Sequence, residues 1–174
     1  SWLHKAGVCP GDRVAIAMRN RPEWAVAFVA TALLGAIPAP LNSFGLREEL
    51  HAALADLAPK VLFCDPERHA RIASEGAPAF VTVVTDGALA GTESYAALVA
   101  QPAEPPPVAN VGPDDPALIL FTSGATSRAK GVLSTQRAVC QALFNIDFIG
   151  ALSAMSSPEA VARISSTISS AFCS

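Results

Sequence analysis

Arg13-Val14-Ala15-Ile16-Ala17-Met18, then Asn20-Arg21-Pro22-Glu23, then an apolar run to Leu34-Gly35, and then Ile37-Pro38-Ala39-Pro40-Leu41 read as strand, helix and strand. The first segment is short and apolar, with Val14 and Ile16 on one side. Asn20 or Arg21 stands near the helix cap. Pro22 fits the first turn, and Glu23 suits the positive end of the helix. Gly35 can stop the helix at about Leu34. The two prolines place Ile37–Leu41 at a sheet edge or in a quick turn. Upstream, Gly7-Val8-Cys9-Pro10-Gly11-Asp12 reads as a turn.

The alternation continues downstream. Leu46, Leu50, Leu54 and Leu57 form one helical stripe, which Pro59 ends. Lys60–Cys64 is a buried strand, and Asp65-Pro66-Glu67 opens the next helix. Phe80–Val84 is a strand, and Thr92–Val99 a short helix. Gln101–Pro116 is a proline-rich extended connector. Ala117–Phe121 is an apolar strand, Thr122–Gly131 a loop, and Ser134 or Thr135 the cap of a helix through Ala138, Leu143 and Ile146. Such alternation predicts an α/β fold with a mostly parallel sheet flanked by helices. Residues 164–174 are serine-rich and uncharged, and are expected to be a disordered tail after one incomplete domain over residues 1–163.

Composition limits the partners. The chain has 174 residues, 51% hydrophobic and 16% charged, with net charge −3. An apolar balance suits a sheet covered on both faces. No basic stripe supports nucleic-acid binding. The run from Ala25 to Leu41 is short for a membrane span and is broken by Pro38 and Pro40. Cys9, Cys64, Cys140 and Cys173 are too widely spaced for a zinc site or redox pair, as expected of thiols in a reducing cytoplasm. His4, His51 and His69 are scattered and read as solvated or helix-surface groups. Trp24 reads as packing, and Asp114-Asp115 as loop capping rather than a metal site. The chain opens on Ser1, which predicts a preceding segment, and shows no secretory signal pattern.

The chemistry concentrates in Leu120-Phe121-Thr122-Ser123-Gly124-Ala125-Thr126-Ser127-Arg128-Ala129-Lys130-Gly131-Val132. A strand delivers small and hydroxylated residues. Gly124 permits close backbone approach. Thr122, Ser123, Thr126 and Ser127 offer hydroxyls, successive amides can form an anion nest, and Lys130 adds a mobile positive charge, with Arg128 a second. This predicts a loop that wraps a polyphosphate. It lacks the Walker spacing, because Gly131 and Val132 follow Lys130. No Gly-x-Gly-x-x-Gly element marks a dinucleotide site.

The same segment resembles the phosphate signature of the adenylate-forming superfamily, Thr-Ser-Gly-Thr-Thr-Gly-x-Pro-Lys-Gly-Val. Thr122, Ser123, Gly124, Thr126, Lys130, Gly131 and Val132 match, while Ala125, Ser127 and Ala129 depart. Gly7–Asn20 and Pro22–Asn42 are also similar to the superfamily's opening turn, strand and helix. The resemblance implies a partial N-terminal adenylation-domain fold. It implies that a carboxylic acid, such as a fatty acid, is activated with ATP and magnesium and then passed to CoA. Thr122, Ser123, Gly124, Thr126, Lys130 and Gly131 would hold the β- and γ-phosphates. Loss of one hydroxyl at Ala125 is worth about 0.5–1.5 kcal/mol, and Ser127 costs about 1 kcal/mol if its φ is positive.

In that superfamily the adenine and acyl pockets, the metal carboxylate and a second catalytic lysine lie beyond the matched stretch, and the Pro-x-x-His element expected after the loop helix is absent. The resemblance therefore predicts a fragment of an acyl-CoA synthetase, inactive alone, with its catalytic residues unassigned. A peptide-synthetase adenylation domain and a non-catalytic remnant are the other two readings.

Overall fold

The computed structural model describes residues 2–73, 78–102, 105, 108–122, 129–156 and 159. In chain order the elements are α1 (Trp2–Lys5), β1 (Arg13–Ala17), α2 (Pro22–Leu33), β2 (Ile37–Pro40), α3 (Arg47–Leu57), β3 (Val61–Cys64) and α4 (Pro66–Ile72). They are followed by β4 (Val81–Val84), β5 (Glu93–Ser94), α5 (Tyr95–Val99), β6 (Pro116–Thr122), β7 (Lys130–Thr135) and α6 (Gln136–Ser156). The chain divides into two compact units, residues 1–136 and 137–174.

In the first unit, five strands form a parallel sheet in the order β2-β1-β3-β4-β5. From β1 the chain steps to one side and then crosses to the other, so α2 and α3 cover opposite faces. The alternation of β1 feeds both layers. Val14 and Ile16 pack with Leu34, Ala27, Phe63 and Val83. Ala15 and Ala17 pack with Leu50, Leu54, Leu57 and Leu62. A central parallel strand covered on both faces has to be apolar at every position, which is why Val14–Ala17 carry no polar side chain.

Pro38 and Pro40 lie in the edge strand of this sheet, as their residue type requires. Ile37 N–H donates to Asp12 O at 2.7 Å and Leu41 N–H to Ile16 O at 2.9 Å. The alternate positions, which have no N–H, are the prolines. Gly35 takes φ +68° after α2, and a Cβ there would lie 3.0 Å from Ala109 Cβ and Val111 Cγ1. Glycine thus both ends the helix and lets the connector pass over it.

The helix ends are fixed by named groups. The Asp65 carboxylate accepts from Arg68 N–H at 2.9 Å and caps α4. Ala58 ends α3 at φ 44°, a left-handed conformation that costs a side chain about 1–2 kcal/mol. Arg13 offsets that cost by donating to Leu57 O at 2.9 Å and to Ala58 O at 3.0 Å. Cys64 is buried, and burial first, then the neighbouring Asp65 charge, pushes its thiol up to about 12. Cys9 and Cys140 are exposed free thiols, and Cys173 lies outside the described residues.

Arg21, after β1, reaches across to Asp86, after β4, and holds it with both terminal guanidinium nitrogens, one at 2.9 Å. Hydrogen bonding to Arg21 is the main cause holding the Asp86 carboxyl below its usual range. A depressed carboxyl contributes stability above its unfolded pKa of about 4 and loses it as pH falls through the lower folded value. Asp86→Asn is therefore expected to lower the unfolding midpoint at neutral pH and to leave it unchanged in strong acid. Equal effects at both pH values in denaturant titrations would sink this assignment.

Three readings are corrected. Thr92 is not helical: its N–H and hydroxyl both donate to Leu89 O, at 3.1 and 2.9 Å, which holds a turn, and α5 starts at Tyr95. Thr122, Lys130 and Gly131 are not loop residues: Thr122 ends β6, and Lys130 and Gly131 begin β7, antiparallel to it. Ser134 stands two residues before α6 and does not hold the cap position, which falls to Thr135, the last residue of β7. In the second unit, α6 extends through residue 156 and exposes Leu143, Phe144, Ile146, Phe148, Ile149 and Leu152. No helix among the described residues is long and apolar enough to cross a membrane. Residues 164–174 lie outside the described residues.

Candidate functional site: the β6–β7 hairpin

β6 and β7 form a two-stranded sheet in which Thr122 faces Lys130, Phe121 faces Gly131, Leu120 faces Val132 and Ile119 faces Leu133. One face of the hairpin docks on the core, because Ile119 and Phe121 pack against the cluster containing Leu54 and Leu57. Thr122 alternates away from them, and Thr122 and Lys130, paired at the strand ends, are both exposed. The base is closed by Gln136 N–H donating to Asp115 O at 2.9 Å, and by Gln136 Nε2 donating to Pro116 O at 3.4 Å. Asp115 in turn accepts from Gly112 N–H at 2.6 Å, so it caps a turn as its sequence position suggested.

This geometry brings Thr122 and Lys130 together across the two strand ends. Ser123, Gly124 and Thr126 lie outside the described residues, as do Ala125, Ser127 and Arg128. Gly131 has a structural reason to be glycine. A Cβ on it would come within 3.2 Å of Ile119 Cγ2 and 3.5 Å of the Phe121 ring. Both neighbours pack against the core, so they must shift by a few tenths of an ångström to admit the added bulk. Gly131→Val is expected to destabilise the unit by about 1–3 kcal/mol, the usual cost of overpacking. A thermal midpoint equal to the parent's would refute that.

Sequence reasoning missed a cleft of about 490 Å³ beside the hairpin, lined by Asp56, Leu57, Ile119, Phe121, Lys130 and Leu133 among others. Its walls come from α3 and from both hairpin strands, elements distant in sequence. Only the apolar character of Ile119 and Phe121 hinted at it. Among the described residues no three His, Cys, Asp or Glu side chains form a metal-binding group. Along its described length the hairpin carries one lysine, Lys130, and the hydroxyls of Thr122, Ser134 and Thr135, of which Thr122 lies directly across from Lys130.

Comparison with known proteins shows the family of the chain. The family model described as AMP-binding enzyme matches residues 1–172. The chain is 40% identical over 146 residues to an indoleacetate–CoA ligase of Aromatoleum aromaticum, covering 80% of this chain and 28% of that protein. It is 37% identical over 133 residues to a feruloyl-CoA synthase of an Amycolatopsis species, covering 76% and 25% respectively. The crystal structure of a Brucella canis acyl-CoA synthetase superposes with a TM-score of 0.71 at 22% identity, covering 80% of this chain and 26% of that one. The chain thus spans little more than a quarter of the length of these proteins. Its mostly parallel sheet with flanking helices matches the N-terminal part of acyl-CoA synthetase structures. With a family match over nearly its whole length and a relative at this level of identity, the chain belongs to the AMP-binding enzyme family.

Proposed function

We propose that the protein contributes the triphosphate-binding part of an ATP-dependent carboxylate–CoA ligase. The observation that carries this reading is the pairing of Thr122 with Lys130, which sets an exposed ammonium against an exposed hydroxyl where β6 and β7 part. Thr122, Ser123, Gly124, Thr126, Lys130 and Gly131 are the proposed contacts. Lys130 neutralises phosphate charge, and hydroxyls and amides of the segment orient the phosphate oxygens. ATP supplies the leaving pyrophosphate, so that a carboxylate becomes an acyl-adenylate and then a CoA thioester. The chain's own work in this scheme is to hold and orient. Among its described residues no three His, Cys, Asp or Glu side chains gather to hold magnesium. The substrate is a carboxylic acid, and the compartment proposed is the cytoplasm. A peptide-synthetase adenylation domain has no separate observation in its favour.

The test is ATP–pyrophosphate exchange with a panel of aliphatic and aromatic carboxylic acids. It is run on the chain alone and on a chimera in which the chain replaces the matched region of the indoleacetate–CoA ligase. Exchange in the chimera and none in the chain alone is the expected result. Exchange in the chain alone would overturn the claim that it contributes only part of a site. No exchange in a folded chimera would favour a non-catalytic remnant.

A further inference from the structure

A second cavity, of about 650 Å³, lies between α3, α4 and the floor made by β3 and β4. Leu54, Leu62, Ile72 and Phe80 give it apolar walls, and His51 and His69 bring two imidazoles to it. Among the described residues that line it, none is Asp, Glu, Lys or Arg. The volume falls within the range of small-molecule sites, which are mostly apolar with a few polar groups. His51 corrects its reading as a surface histidine: it is half-buried, and its Nε2 is closed off from solvent with no hydrogen-bond partner among the described residues. A buried polar atom without a partner is unfavourable, and an imidazole on the wall of an apolar cavity is a poor choice for packing alone.

We propose that this cavity binds a small aromatic molecule bearing a hydroxyl, with the ring among Leu54, Leu62 and Phe80 and the hydroxyl on His51. A hydroxyl both donates and accepts, so it satisfies Nε2 in either imidazole tautomer. A carboxylate would accept only, and among the described residues no lysine or arginine lines the cavity to neutralise it. Binding requires the His51 ring to turn about χ2, a broad and soft torsion. The proposal does not depend on the hairpin or on the reaction assigned to it.

The full chain is titrated with 2-naphthol and with 2-methylnaphthalene, which has the same shape and no hydroxyl. Calorimetry reads the affinity, and the nitrogen-15 shift of the His51 imidazole reads the contact. The hydroxyl compound is expected to bind at least about tenfold more tightly and to move the His51 Nε2 resonance. His51→Phe should remove the difference between the two compounds. Ala55→Trp, an exposed α3 position lining the cavity, should abolish binding of both while circular dichroism stays unchanged. Equal affinities, an unmoved Nε2 resonance, no binding of either compound, or full binding in the folded Ala55→Trp variant would each overturn the proposal. If both variants unfold, the two-compound comparison on the parent chain still decides.

Discussion

Replacing Asp65 with alanine is expected to lower the unfolding free energy by about 3–5 kcal/mol, the range for stripping one partner from a buried ion pair. Arg68 is 1% exposed and Asp65 4% exposed. Arg68 Nη1 lies 3.2 Å from Asp65 Oδ2, and its Nε donates to Ser43 O at 2.7 Å. Asp65 also caps α4 through Arg68 N–H and accepts from Arg19 N–H at 3.2 Å. The substitution therefore removes a cap, strands a buried guanidinium and frees the chain leaving β1. Glu67 touches the same guanidinium at 2.9 Å but is largely exposed, so it cannot replace the buried carboxylate. The double variant Asp65→Ala with Arg68→Met should recover much of the loss, because the unpaired charge is gone. Urea titration of the two variants checks this. A loss below about 1 kcal/mol for Asp65→Ala, within the range of a cap alone, would show that Arg68 is served by its other partners.

Lys130→Ala is expected to lower ATP–pyrophosphate exchange in the chimera by about 100-fold or more, as removal of a positioned charge or donor typically does. It should leave the thermal midpoint nearly unchanged, because the Lys130 side chain is exposed at the end of β7. Lys130→Arg keeps the charge but changes its geometry, and is expected to recover activity only in part. Exchange at the parent rate in Lys130→Ala would remove the central residue from the phosphate assignment. A lower midpoint with a proportionate loss of exchange would make Lys130 a structural residue of the hairpin.

The βαβ start was legible because its signals are local. Val14 and Ile16 alternate, Pro22 opens α2, Gly35 closes it, and the leucines at 50, 54 and 57 repeat on a helical period. The prolines of β2 even disclosed its edge position, since a missing N–H is tolerable only there. β7 was hidden because Lys130 and Gly131 belong at once to a phosphate signature and to a strand. Val132 and Leu133 are too brief a run to declare a strand without β6 opposite them. Arg68 was equally hidden. An arginine reads as exposed, and its burial depends on Ser43 O from the chain leaving β2. Of the candidate site, the residue types were readable, but the pairing of Thr122 with Lys130 needed the register.

The hairpin joins strands that are neighbours in sequence, whereas each parallel pair of the larger sheet requires a crossover to be completed first. Hairpins assemble in about 1–10 μs, and pairings between distant segments are the slow ones. A lone two-stranded ribbon is only marginally stable in water, so early encounter does not mean early locking. Ile119 and Phe121 must wait for the surface offered by α3 before the ribbon is held. Pulse-labelled hydrogen exchange should therefore find the Leu133 amide protected together with those of β3, not before them. If so, the two ends of the proposed phosphate-binding segment are aligned in transient form from the first moments of refolding, and become a fixed feature only when the parallel sheet has closed.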